Sequence, residues 1–180
     1  MPFEFQTTEI TGLVIVKSRS FPDERGEFAE VYKYSEFAAN GIPDQFVQTN
    51  YSKSKKGVLR GMHYQLPPYA QAKLVRVTYG SVFDVAVDIR KDSPTYGRWL
   101  GVTLSAVEKN MLYIPEGFAH GFCSLEDDTQ MVYNCSREYS PEHERGMVWN
   151  DPNVGIEWLI TDPILAERDA NYPSFDSIEI

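Results

Sequence analysis

The sequence predicts an all-β sandwich or barrel. Two observations carry this. Short β-branched and aromatic stretches, punctuated by Gly, Pro, Asn and Asp, fill the middle of the chain, and no helical pattern is long enough to be a crossover between parallel strands. In chain order, strands are expected at Gly12–Lys17, Glu27–Tyr34, Gln45–Ser52, Val58–Gln65, Ala72–Tyr79, Val82–Ile89, Trp99–Leu104, Met111–Ile114 and Met131–Arg137. The clearest is Val82–Ile89, where Phe83, Val85, Val87 and Ile89 alternate with Val82, Asp84, Ala86 and Asp88, the period of two of a pleated strand. Glu36–Asn40, ending before Gly41, and Pro163–Arg168 predict short helical turns. Ser140–Gly155, rich in charge, Gly and Pro, is expected to be a long loop flanking a site. With 180 residues, the chain is expected to form one domain over 1–180.

Composition narrows the function. Seventeen Lys+Arg against 26 Asp+Glu give a net charge of -9, which disfavours non-specific attraction to nucleic acid or an anionic membrane. An anionic ligand must therefore meet a local basic cluster. The start, MPFEFQTTEI, has neither the basic nor the apolar region of a signal peptide, and no apolar run reaches bilayer-spanning length, so a cytoplasmic location is expected. Cys123 and Cys135 fit no zinc spacing and are too few for a disulfide framework; they are expected to be reduced core thiols.

Of three histidines, at 63, 120 and 143, two lie in dense polar-aromatic motifs. Gly57-Val-Leu-Arg-Gly-Met-His-Tyr-Gln65 puts Arg60, His63 and Gln65 on one strand. A regular pleat would point Arg60 and His63 to opposite faces, so a shared cavity requires a bulge or twist at Gly61. In Tyr113-Ile-Pro-Glu-Gly-Phe-Ala-His-Gly-Phe122, Pro and Gly demand a turn that returns His120 to a strand. Together these motifs resemble the two halves of a cupin, and the fold implied is a cupin-type jelly-roll β-barrel with a few short peripheral helices. Cupin metal sites usually use His-x-His, a carboxylate and a second-motif His. Here His63-Tyr64-Gln65 is followed by no acidic residue between Leu66 and Phe83, leaving two imidazoles and an amide, a poor set for zinc or iron. Neither metal nor other cofactor is expected.

From Ile15 to Asp169 the chain resembles the dTDP-4-dehydrorhamnose 3,5-epimerase family, also called dTDP-4-keto-6-deoxyglucose 3,5-epimerase. The resemblance rests on Asp23-Glu-Arg-Gly-Glu-Phe-Ala-Glu30, Gln48-Thr-Asn-Tyr-Ser52, Leu59-Arg-Gly-Met-His63, Lys73-Leu-Val-Arg76, Ile114-Pro-Glu-Gly-Phe-Ala-His-Gly-Phe122, Tyr139-Ser-Pro-Glu-His-Glu144 and Asp162-Pro163. It implies an enzyme, an isomerase that inverts C3 and C5 of dTDP-4-keto-6-deoxyglucose to give dTDP-4-keto-L-rhamnose for dTDP-L-rhamnose biosynthesis.

The resemblance implies that His63 is the general base, Asp169 its orienting carboxylate, Tyr133 the opposing acid and Lys73 the group beside the 4-keto oxygen. It implies diphosphate contacts by Arg25, Arg60 and Arg168. It also places Gln48, Thr49 and Asn50 on the substrate-binding strand, Tyr139 on the thymine, and Phe28, Glu30, His120 and Glu144 among the remaining substrate contacts. A homodimer is implied too, with the N-terminal strand and the segment around Arg25–Glu30 reaching the partner's site. Three other readings compete: an epimerase inverting C3 alone, a metal-dependent cupin oxygenase or isomerase, and a non-catalytic sugar-binding module.

Overall fold

The computed structural model describes residues 2–180. Thirteen strands are present among them: β1 Phe3–Thr7, β2 Val14–Ser18, β3 Ser20–Asp23, β4 Gly26–Ala29, β5 Gln48–Ser54, β6 Leu59–Gln65, β7 Lys73–Tyr79, β8 Ser81–Asp88, β9 Trp99–Ser105, β10 Asn110–Ile114, β11 Phe118–Ser124, β12 Thr129–Cys135 and β13 Glu144–Gly146. A six-stranded sheet in the order β1-β2-β10-β7-β12-β5 faces a five-stranded sheet in the order β13-β6-β11-β8-β9, with every pairing antiparallel. Their inner faces share one core, in which Val75, Val77, Leu112 and Met131 of the first sheet pack against Val82, Ala86, Leu104, Phe118 and Phe122 of the second. This is the cupin-like jelly roll.

β8 shows how the alternation is used. Val82 and Ala86 point into the barrel, while Phe83, Val85, Val87 and Ile89 point outwards yet are buried, because Met147, Val154 and Phe175 of the C-terminal segment cover that face. The outer face of the other sheet is covered by α1, Tyr34–Ala39, whose Phe37 is fully buried edge-on to Phe3 and Phe5. Each sheet thus buries apolar side chains on part of its outer face as well as on its inner one.

Several boundaries differ from expectation. The strand expected at Glu27–Tyr34 ends at Ala29, and Tyr34 begins α1; Gly26 closes a β3–β4 hairpin in which Phe21 faces Phe28 and both are exposed. The turn expected at Pro163–Arg168 is displaced, since Ile164 bridges Val58 and the helix, α2, spans Glu167–Ala170; the loop expected over Ser140–Gly155 contains β13, which pairs with β6. Strands β1 and β11 were not among those expected: β1 alternates Phe3 and Phe5 with Glu4 and Gln6 over only five residues, and β11 is buried along its whole length, so no polar face marks it.

A buried cluster pins the β8–β9 connection. The Asp88 carboxylate accepts from Arg90 Nε at 2.8 Å, Ser93 Oγ at 2.6 Å and Thr95 Oγ1 at 2.6 Å. Burial pushes Asp88 up, but these bonds outweigh it and hold the carboxylate down at about 2. A depressed folded-state value means that Asp88 stabilises the fold fully above the ordinary carboxylate range and loses this contribution as pH falls towards 2. Asp88→Ala is expected to cost about 3 kcal/mol at neutral pH and to flatten the acid limb of stability between roughly pH 4 and 2, as read by denaturant melts across pH.

Candidate active site

The cavity opens between the two sheets at the end where β6, β7, β11 and β12 meet α2. It encloses about 330 Å³ and is lined by Arg60, His63, Lys73, His120, Tyr133, Glu144, Arg168 and Asp169 with Tyr51, Ser52, Phe122 and Ala166. A connected recess adds Gln48, Asn50, Gln65 and Tyr139.

His63 reaches this cavity through a local irregularity. In register, His120 faces His63 and Phe122 faces Arg60, so three steps on β6 match two on β11. The extra residue brings Arg60 and His63 to the same side, as the motif required. Gly61 sits there at φ +137°, and a Cβ on it would stand 2.5 Å from the Gly121 Cα, so both conformation and space demand glycine.

His63 Nε2 lies 2.8 Å from Asp169 Oδ1, and the Gly61 N–H donates to Asp169 Oδ2 at 3.2 Å. Burial alone would push Asp169 up; the hydrogen bond and charge of His63, the Gly61 N–H and the Arg168 guanidinium hold it below the usual carboxylate range. The ionised carboxylate accepts a hydrogen bond from the Nε2–H, which leaves Nδ1 as the lone-pair nitrogen. Tyr172 packs edge-on to the His63 ring at 5.6 Å and fixes its plane.

The opposite wall is the six-stranded sheet. Tyr133 on β12 is paired with Asn50 of β5 and Val75 of β7, and burial raises its phenol above the usual tyrosine range, so it holds its proton at neutral pH. Lys73 on β7 is buried, and desolvation lowers its ammonium against the smaller opposing pull of Cys135, Asp84 and Glu144. It donates to the His63 carbonyl at 3.4 Å, which steers it towards the cavity floor. The His63 ring and the protonated Tyr133 phenol therefore stand on opposite walls, with the Lys73 amine between them at the floor.

The mouth is charged. Glu144 accepts from Arg168 Nη1 at 2.7 Å and from the Tyr139 hydroxyl at 2.7 Å, and the Tyr139 N–H donates to Gln48 Oε1 at 2.8 Å. Arg60, Lys73 and Arg168 supply the local positive charge that a chain of net charge -9 needs to receive an anion.

Four expected residues stand elsewhere. Thr49 alternates with Gln48 and Asn50 and bonds Asn134 at 2.8 Å on the far face of β5, away from the cavity. Arg25, Phe28 and Glu30 lie on or just beyond the β3–β4 hairpin and line neither the cavity nor its recess; Arg25 is paired with its neighbour Asp23. Asp84, Tyr172 and Phe122 were not among the expected site residues. Asp84 carried a signal, since an acidic residue on the face of β8 that Val82 and Ala86 make apolar needs a reason. Cys123 and Cys135 are buried and free.

Among the described residues, no three His, Cys, Asp or Glu side chains converge to hold a metal ion. A jelly roll with an imidazole on one wall, a protonated phenol on the other and guanidinium groups at the mouth is the class of cupin-like barrel whose side chains can exchange protons with both faces of one bound molecule. The sequence profile of the family dTDP-4-dehydrorhamnose 3,5-epimerase matches residues 7–177, and the chain belongs to that family. It is 54% identical to the dTDP-4-dehydrorhamnose 3,5-epimerase of Shigella flexneri, over 93% of each chain. It superposes with TM-score 0.94 and 42% identity on a dTDP-6-deoxy-D-glucose-3,5-epimerase from Legionella pneumophila in complex with dTDP-4-keto-L-rhamnose, over 98% of this chain and 95% of that one. A 3'-monoepimerase from Streptomyces bikiniensis in complex with dTDP-quinovose matches with TM-score 0.88 and 34% identity, over 94% of this chain and 86% of that one.

Proposed function

We propose that this chain inverts C3 and C5 of dTDP-4-keto-6-deoxyglucose, giving dTDP-4-keto-L-rhamnose for dTDP-L-rhamnose biosynthesis, with no metal or other cofactor. One observation carries the reading: His63, held by Asp169 at 2.8 Å, faces Tyr133 across a cavity floored by Lys73. His63 Nδ1 takes the proton from the carbon next to the ketone, and the C–H electron pair moves into an enolate on the 4-keto oxygen. The Lys73 ammonium holds that oxyanion. Tyr133 then delivers its proton to the opposite face of the same carbon, which inverts it. Imidazolium and phenolate regain their resting states by exchange with water, so one solvent hydrogen enters at each inverted carbon.

Arg60 and Arg168 bind the diphosphate as guanidinium forks, Tyr139 stacks on the base at the mouth, and Gln48, Asn50, His120 and Glu144 complete the seat. Glu144 must release Arg168 as the anion arrives. The exposed Arg25 and Phe28, with the half-buried Glu30, act in trans: the chain works as a homodimer in which each β3–β4 hairpin reaches its partner's cavity. Full activity in a species that sediments as a monomer would exclude this. The location is the cytoplasm; among the described residues no helix is long and apolar enough to cross a membrane.

Lys73→Met keeps the length of the stem and removes the cation. It is expected to lower kcat by about 10²–10³-fold with KM changed much less, because the oxyanion exists only in the enolate-like transition state. Steady-state kinetics coupled to a 4-keto reductase read this directly.

The runner-up reading, inversion of C3 alone, draws on the similarity to the Streptomyces monoepimerase; the higher identity to 3,5-epimerases favours double inversion. Incubation in heavy water with excess chelator decides between the readings. Deuterium at both C3 and C5 of the product, with turnover undiminished by the chelator, supports the proposal. Label at C3 alone supports the runner-up, and turnover lost on chelation overturns the metal-free chemistry.

A further inference from the structure

Beside the His63–Asp169 pair lies a second imidazole and carboxylate in the same cavity. His120 is the cross-strand neighbour of His63 in register, and its Nε2 lies 3.0 and 3.1 Å from the two carboxylate oxygens of Asp84. Asp84 faces Phe122 in register on β8, diagonal to His120, and is fully buried on the inner face between Val82 and Ala86. Its position is costly. A buried carboxylate loses several kcal/mol of hydration, and among the described residues only the His120 side chain hydrogen-bonds to it. An apolar residue would fill the barrel at least as well, so the pair asks for a role beyond packing.

We propose that Asp84 is a positioning residue for epimerisation: it fixes His120 with Nε2 protonated, so that Nδ1 accepts a hydroxyl hydrogen of the sugar and seats the ring between His63 and Tyr133. This rests on the epimerase reading above and adds to it the group that sets the ring's orientation. Three features agree with it. The carboxylate can only accept, so it selects the tautomer of His120. His120 lines the cavity alongside His63 and Lys73, where a sugar ring must sit. Burial, the largest influence on His120, favours its neutral form over the pull of Asp84, and a neutral ring has the acceptor that the role needs. With the hydroxyl unseated, the reacting carbon drifts from Nδ1 of His63, and a misplacement of about 1 Å costs on the order of 10²-fold.

The test is a double-mutant cycle of Asp84→Ala and His120→Ala, with Asp84→Asn as the size-conserving variant that keeps a carbonyl acceptor. Activity is followed as deuterium entry into dTDP-4-keto-6-deoxyglucose, and affinity for dTDP, which lacks the sugar, by calorimetry. Expected are a fall in kcat/KM of about 10²-fold for Asp84→Ala, substantial rescue by Asp84→Asn, unchanged dTDP affinity, and little further loss when Asp84→Ala is added to His120→Ala. Additive losses, a dTDP affinity that falls with turnover, no rescue by asparagine, or full turnover in Asp84→Ala would each overturn the proposal. Absence of deuterium entry in the unmutated protein would instead overturn the epimerase reading itself.

Discussion

His63→Ala is expected to lower turnover by about 10⁴-fold or more while leaving affinity for the dTDP-sugar within about threefold. The upper end of the range for general acid–base help applies because one imidazole serves both inversions and nothing adjacent can replace it. Asp169 is held ionised below the usual carboxylate range, yet it lies behind the ring, and His120 is already engaged with Asp84. Binding survives because the affinity resides in the cations and the aromatic mouth, which the substitution does not touch. Solvent deuterium entering neither C3 nor C5, alongside near-normal calorimetric binding, is the expected pair of readouts. A variant that still exchanges at either carbon would place the base elsewhere.

Tyr133→Phe separates exchange from inversion. The phenyl ring fills the same space, so the wall formed by β12 against β5 and β7 stays intact. Only the proton donor is lost. His63 can still withdraw a proton and return one from solvent to the same face, so substrate recovered from heavy water is expected to carry deuterium with its configuration unchanged. Inverted product is expected to fall by about 10²–10⁴-fold. Mass spectrometry of recovered substrate and reductase trapping of product distinguish the two processes in one incubation. Undiminished inversion would mean that another group, or a water, faces the ring.

The sequence revealed most where residue type and local geometry act together. The clash between the period of two and a shared cavity for Arg60 and His63 predicted an irregularity at Gly61, and the register between β6 and β11 contains it there. Period-two alternation located β8 but could not say which face was inner. The outward face is the more apolar one, because the C-terminal segment covers it, and that covering depends on contacts far apart in the chain. The strand expected over Glu27–Tyr34 stops at Ala29 because Tyr32 leaves the hairpin to pack against Phe37 of α1, and the strand preference of an aromatic residue does not distinguish that contact from a place in a ladder. The same alternation would have removed Thr49 from the cavity, since its neighbours Gln48 and Asn50 already occupy that face. Asp84 and Tyr172 act through partners 36 residues and more away and have no motif of their own.

Two-faced proton transfer between His63 and Tyr133 is tested by a crystal structure of the His63→Ala variant soaked with dTDP-4-keto-6-deoxyglucose. Expected is a pyranose ring lying between the position vacated by the imidazole and the Tyr133 hydroxyl, with its 4-keto oxygen towards Lys73 and C3 or C5 within about 3.5 Å of the vacated Nδ1 position. A ring bound outside the barrel, or one that places position 63 and Tyr133 on the same face, would contradict it.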